Sequence, residues 1–375
     1  MEPIESQGMT KTHVLSGLPR WSLAVPPLAL IVLAVSWGSK PGVILLILIC
    51  AGLGAAVIAA VHHAEVVAHR VGEPFGTLIL ALAVTVIEVA LIVTLMASGG
   101  DKAASLARDT VFAAVMITCN GILGLALVVG SLRHKTQEFR VHASGSALAV
   151  MTALVTLSLV LPTFTTSTPG ATFSAAQLAF AGVASLVMYG VFVFVQTIRH
   201  RDYFLPVTEA AEEDAEDVHA EAPSTGVALV SLALLFGCLI AVVGLAKTVS
   251  PKLESAVEAA GAPLAVVGVV IALLVLLPET VAAVRAALRN RLQTSLNLAL
   301  GSALASIGLT IPAIAIASIW LDGPLVLGLG GKEMVLFALT VVVSMLTLAT
   351  GRATLLQGAV HLMIFGSFLF LTVSP

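Results

Sequence analysis

Residues 144–198 contain no charged side chain. A run of about 20 apolar residues is long enough to cross a bilayer as a helix. This stretch holds two such runs, split by Pro162 and the polar sequence TFTTSTPGATFS at 163–174. Backbone amides in hydrocarbon must be satisfied within the segment, which favours helices as the spanning element. The same pattern recurs along the chain. Of its 375 residues, 58% are hydrophobic and only 10% charged, against about 25% charged in an average soluble domain. A soluble domain is excluded, and the expected fold class is an all-α integral membrane protein.

Eleven spans are expected, at about 21–39, 41–61, 72–98, 109–131, 144–162, 175–197, 225–247, 262–284, 295–319, 333–350 and 353–373. The basic residues set their direction. With the N-terminus on one side, that side receives twelve Lys and Arg and the other six. The positive-inside rule then makes the N-terminus cytoplasmic and the C-terminus periplasmic or extracellular, in a multi-pass inner-membrane protein. No cleaved leader is expected, because the first apolar run starts near Trp21 after a polar tail without a clear cleavage site. Cys50, Cys119 and Cys238 fall inside apolar runs and read as packing residues.

The acidic stretch EAAEEDAEDVHAE, in the loop from Asp202 to Glu221, divides the spans six and five. It reads as a solvated linker, or as a tether that attracts cations. With the first span set aside, five face five. An odd number makes the second set enter the membrane in the opposite sense, the inverted repeat of many secondary transporters. The expected organisation is a tail at 1–20, an extra helix at 21–39, repeats at 40–200 and 225–375, and a linker at 201–224.

The two halves echo each other. Gly72-Glu73-Pro74 opens a run with one deep acid, Glu88, and Gly261-Ala262-Pro263 opens a run with one deep acid, Glu279. The spacing from Pro to Glu is 14 in one and 16 in the other. Each run leads to a helix of small and polar residues, 108–124 and 296–312. An offset of 188 places Asp109 on Asn297, Thr118 on Ser306 and Asn120 on Gly308.

A charged side chain inside the bilayer costs ~2.5–3.5 kcal/mol on insertion scales, and such acids are functional by default. Inverted helices crossing at the midplane would bring Glu88 and Glu279 together. Two buried carboxylates cannot both ionise cheaply, and their titrations are coupled. A divalent cation relieves the repulsion, and so do two protons. Competition of cation and protons for one site is the core requirement of an antiporter. Hard cations such as Ca²⁺ take six to eight oxygens. Asn120, Ser302, Ser306, Asn297, Thr118 and carbonyls freed near Pro278 are the candidates to complete the shell. Pro278 lacks a backbone donor and should break the helix just before Glu279.

His62, Glu65 and His69 share a helical face at i, i+3 and i+7. They read as a hydrated helix end, a gating or pH-sensing cluster, or a metal site. Glu73 joins them at the cytoplasmic mouth. His361, with Gln357 one turn before it, reads as a buried Gln–His hydrogen bond or a proton relay.

Several stretches carry a resemblance. They are 63–89, MYGVFVFVQT at 188–197, 276–312 and TGRATLLQGAVHL at 350–362. The chain resembles the calcium/cation antiporter superfamily, and more narrowly its bacterial ChaA-type calcium:proton antiporters. The resemblance implies ten core helices in two inverted five-helix repeats and an acid from each repeat at the ion site, here Glu88 and Glu279. The calcium:proton branch usually carries Gly-Asn-x-x-Glu. Here TVIE at 85–88 and VLLPE at 275–279 lack Gly-Asn, a departure the ChaA-type subgroup shares. That subgroup is associated with Na⁺ and K⁺ exchange as well as Ca²⁺.

The expected function is cation:proton antiport by alternating access, with Ca²⁺ as first substrate and Na⁺ or K⁺ as the alternative. A passive channel needs a continuous pore, usually from a ring of subunits, whereas one acid per inverted half favours alternating access. A metalloenzyme on His62, Glu65 and His69 would need further ligands. The sequence carries no G-x-x-x-x-G-K-[ST] loop, so an ion gradient is the expected energy source. No cofactor and no nucleic-acid partner is expected. The partners are inorganic cations, protons and the lipid bilayer.

Overall fold

The computed structural model describes residues 18–39, 41–72, 75–99, 104–205, 222–320 and 323–375. Glu73, most of the acidic linker, and Lys11, Lys40 and Lys102 lie outside them.

The described residues are almost all helical. In chain order the helices are α1 (Arg20–Ser36), α2 (Val43–Val71), α3 (Phe75–Gly99), α4 (Leu106–Met116), α5 (Leu123–His134), α6 (Val141–Val155), α7 (Ala175–Phe194), α8 (Arg201–Phe204), α9 (Thr225–Ala259), α10 (Ala265–Val275), α11 (Leu277–Leu288), α12 (Leu292–Ala317), α13 (Gly331–Ala349) and α14 (Leu355–Val373). A π-helical segment, Ile117–Ile122, joins α4 to α5 in one span.

Among the described residues nine helices are long and apolar enough to cross a membrane, or ten if the bent pair α10–α11 is one span. The first of the eleven expected spans differs. Helix α1 has 17 residues, or about 25 Å of rise, short of the ~30 Å hydrocarbon core. It ends at Ser36 because Gly38 follows in a left-handed conformation, φ 69°.

The expected break before Glu279 is present. Helix α10 stops at Val275, α11 starts at Leu277, and their axes bend by 53°. Pro278 stands in the first turn of α11. It offers no amide hydrogen to the carbonyl of Leu274, so the helix cannot run through. The glycines that start the two Gly-x-Pro openings both have positive φ. Gly72 and Gly261 have φ of 77° and 69°, a region that glycine enters without steric cost.

The chain divides into two compact units, Met1–Ile87 with Ala220–Val249, and Glu88–His219 with Ser250–Pro375. In the first, α1 packs along α2. Leu33 lies where a side chain on Gly244 of α9 would stand. Small residues there let the helix backbones approach closely.

In the second unit the span Leu106–His134 is the most buried, at 83% of its apolar window. Helices α10, α11, α12 and α14 pack against it. Loops from the two halves of the sequence meet at both ends of this unit. At one end β1 (Gln137–Glu138) pairs antiparallel with β2 (Arg352–Ala353), Gln137 opposite Ala353. At the other, the polar loop after Pro162 is pinned by a backbone bond from Gly328 to Ala171 and by the Thr163 hydroxyl, which donates to the Leu329 carbonyl at 2.8 Å.

Candidate functional site

Glu88 sits on α3 with 2% of its surface exposed. The hydroxyl of Ser306, on α12, donates to Glu88 Oε2 at 2.9 Å across 218 residues of sequence. Thr310, one turn further along α12, lies beside the same carboxyl and is fully buried. Spacing of i, i+4 puts both hydroxyls on one helix face. Thr310 Oγ1 stands near enough to act on the same carboxyl, but neither it nor Glu88 Oε1 makes a bond of full hydrogen-bond geometry among the described residues. A buried unpaired oxygen is costly unless something fills the place. Thr310 was not among the residues expected from sequence. Its signal was the Ser306–Thr310 spacing.

Glu279 lies in the first turn of α11, directly after the bend, and is half-buried. A carboxylate there is favoured by the positive end of the helix dipole.

Thr118, which the offset matches to Ser306, turns its hydroxyl to the carbonyls of Ala114 and Val115 in its own span, at 2.8 and 3.0 Å. Asn297 donates to the Phe204 carbonyl at 2.6 Å and accepts from Gln293 at 2.8 Å. Ser302 is half-buried on α12. Asn120, in the π-helical segment, donates to Thr340 of α13 at 2.9 Å, and its oxygen faces His361 Nδ1 of α14 at 3.2 Å.

His361 does not pair with Gln357. The Gln357 side chain accepts from the amide of Thr354 at 2.8 Å in a capping box that starts α14. The amide is used one turn early because the first helical N–H groups lack partners.

Of the other cluster, His62 is half-buried with its ring 5.0 Å from that of Trp21, while Glu65 and His69 are exposed. The neighbouring His63 is the buried one, with Nε2 2.9 Å from the Ser22 carbonyl. Glu73 lies outside the described residues. Among the described residues no group of three or more His, Cys, Asp or Glu is disposed to hold a metal ion.

The family model described as sodium/calcium exchanger protein matches residues 41–198 and 230–374. The chain belongs to this exchanger family. It is 50% identical over 361 residues to a candidate ionic transporter of Sinorhizobium fredii, y4hA, covering 96% of this chain and 97% of the relative. It is 37% identical over 352 residues to the sodium-potassium/proton antiporter ChaA of Escherichia coli, covering 93% and 94%. Among solved structures it is similar to native YfkE, with a TM-score of 0.70 at 18% identity over 95% of this chain and 99% of that one. It is also similar to the H⁺/Ca²⁺ exchanger CAX, with a TM-score of 0.66 at 16% identity over 93% and 87%. At those identities the likeness concerns the fold. As a member of the exchanger family the chain is a multi-pass cation antiporter, a transporter and not an enzyme.

Proposed function

We propose that this exchanger couples cation movement to proton movement, with cation and protons competing for the carboxylates of Glu88 and Glu279. The observation that carries the reading is the Glu88 site. A carboxyl is enclosed by two hydroxyl-bearing residues of α12, and one of its oxygens lacks a bond of full hydrogen-bond geometry among the described residues. A proton or a cation supplies what that oxygen lacks. When Glu88 is charged, a cation offsets its desolvation; when the cation leaves, a proton does so.

Calcium is the first substrate in this reading, because two carboxylates match its charge. Ser306 stands nearest to completing the shell, with Ser302 on the same helix. Asn120, Thr118 and Asn297 would have to leave their present partners to join it. A second reading, Na⁺ or K⁺ exchange on the same scaffold, is favoured by the relative at 37% identity, which is named for sodium, potassium and protons. A membrane potential contributes ~2.3 kcal/mol per charge per 100 mV, so exchange is voltage-sensitive only where the exchanged charges do not cancel.

The inverted repeats at 40–200 and 225–375, the extra helix at 21–39 and a cytoplasmic N-terminus in the inner membrane belong to the same proposal. So does a gating or pH-sensing role for His62, Glu65, His69 and Glu73 at the cytoplasmic mouth. The supports are the basic-residue bias and the echo between halves.

The test is proton flux in everted vesicles, read with a pH-sensitive dye, on adding Ca²⁺, Na⁺ or K⁺ separately. Ca²⁺ alone should collapse the gradient, and Glu88→Gln and Glu279→Gln should be silent. Collapse by Na⁺ or K⁺ would replace the calcium assignment with the second reading. Wild-type flux in both variants would remove the paired-glutamate mechanism.

A further inference from the structure

The second polar cluster of the larger unit lies among α13, α14 and the π-helical segment. His361 is fully buried there. Its Nδ1 is 3.2 Å from Asn120 Oδ1, and its Nε2 is 3.1 Å from Thr347 Oγ1. The hydrogens can be assigned by following the donors. Thr340 gives its hydroxyl hydrogen to the Leu336 carbonyl at 2.8 Å. It must therefore accept from the Asn120 amide nitrogen, 2.9 Å away. That orientation turns the Asn120 oxygen, an acceptor only, toward His361 Nδ1. The ring nitrogen must then donate. A neutral imidazole carrying its hydrogen on Nδ1 offers Nε2 as an acceptor, and the Thr347 hydroxyl donates to it. One tautomer satisfies both ring nitrogens of His361 and the Asn120 oxygen.

The backbone geometry is equally tight. A side chain on Gly124 would stand 3.0 Å from His361 Cβ and from the Leu362 amide nitrogen, and one on Gly358 would stand 2.7 Å from the Val128 amide nitrogen. The two helices thus meet almost backbone to backbone on either side of the imidazole. The π-helical segment held in this way also packs against α11, which carries Glu279, and α12, which carries Ser306.

We propose that His361, in its Nδ1–H tautomer, is a positioning residue that fixes the Asn120 amide and the register of the π-helical segment against the helices carrying Glu279 and Ser306. Its effect on transport rests on the exchange reading above; its tautomer does not. A proton relay would need Nδ1 to pass its hydrogen on, and here that hydrogen faces the Asn120 oxygen and the Cys119 backbone carbonyl, neither of which is a base.

Two measurements test it. The first is ¹⁵N–¹H correlation spectroscopy of the full chain labelled at histidine, in micelles, with His361 assigned by the signal lost in His361→Asn. The Nδ1–H pattern is expected in wild type, and Thr347→Val, which removes the donor to Nε2, should weaken it. An Nε2–H pattern in wild type overturns the proposal. The second is cation-dependent proton flux in everted vesicles. His361→Leu should raise the half-saturating cation concentration roughly tenfold, the scale of one lost buried hydrogen bond, with the maximal rate within about twofold. His361→Asn places an amide N–H where Nδ1 stood and should stay within about threefold of wild type. Equal transport by wild type and His361→Leu overturns the positioning role. So does an equal loss in both variants while both melt like wild type. If His361→Leu does not fold, the tautomer and Thr347→Val decide. If wild type exchanges none of the three cations, the exchange reading fails, and the tautomer still decides the arrangement around His361.

Discussion

Glu88 and Glu279 hold matching places in the two halves of the sequence, yet their surroundings differ. Glu88 lies within an unbroken 25-residue helix and is fully buried, gripped by Ser306. Glu279 lies just past a 53° bend and is half-buried. The hydroxyls that the offset pairs also diverge. Ser306 reaches across to an acid, whereas Thr118 bonds its own span. The two acids are thus unequal, one inside a continuous helix and one in the first turn after the bend at Pro278. The intact helix delivers a shielded carboxyl, and the bent pair a half-buried carboxyl in the first turn of a new helix.

The strongest test of this comparison removes the acids one at a time. Glu88→Gln should lower exchange at subsaturating cation by roughly a hundredfold or more, since ligand charge sets cation affinity over orders of magnitude. Glu279→Gln should do likewise if both acids bind cation. A much smaller loss there would make Glu88 the dominant site and break the pairing. Flux assays at several cation concentrations separate the outcomes.

A finer test exchanges the hydroxyls. Ser306→Ala removes a bond to a carboxylate, and such bonds are worth about 1.5–3 kcal/mol. The half-saturating cation concentration should shift by about tenfold or more. Thr118→Val, at the matched position, should shift it by less than about twofold, because back-bonding to one's own helix contributes little. Equal shifts would erase the asymmetry.

The bend itself can be tested through Pro278→Ala. Restoring the amide hydrogen lets the helix run on and should slow maximal exchange several-fold. Pro312→Ala should change it by less than about twofold, because Pro312 sits inside α12, which has no break.

The smallest effect is expected where the loops of the two halves meet. Gln137 donates to the Ala287 carbonyl at 2.9 Å and to Asn290 at 3.1 Å, holding the end of the helix that carries Glu279. Gln137→Ala should cost about 1 kcal/mol, read as a drop of a few degrees in melting temperature. Breaking the exposed Arg352–Glu138 ion pair nearby with Arg352→Ala should cost less than about 1 kcal/mol.

Most of the spans and the break at Pro278 were legible along the chain, because each depends on local composition. An apolar run must be helical in hydrocarbon whatever surrounds it, and a proline interrupts its own helix. His361 shows where that legibility ends. One helical turn separates it from Gln357, and the spacing alone suggested a bond between them. The glutamine instead caps α14, and the histidine bonds Asn120 from 241 residues away. His63 and His62 differ by one position, and only packing against α1 decides which is buried.

The sequence by itself determined a many-helix membrane protein that resembles the exchanger family, with Glu88 and Glu279 as its expected site acids. The tertiary structure alone decided that Ser306 bonds Glu88 with Thr310 beside it, that Thr118 bonds its own span, and that Asn120 lies between Thr340 and His361. The physical reason is range. Hydrophobic length and backbone donors act within one segment. Which hydroxyl meets which carboxyl depends on how helices more than 200 residues apart in sequence cross, and side-chain packing sets that crossing.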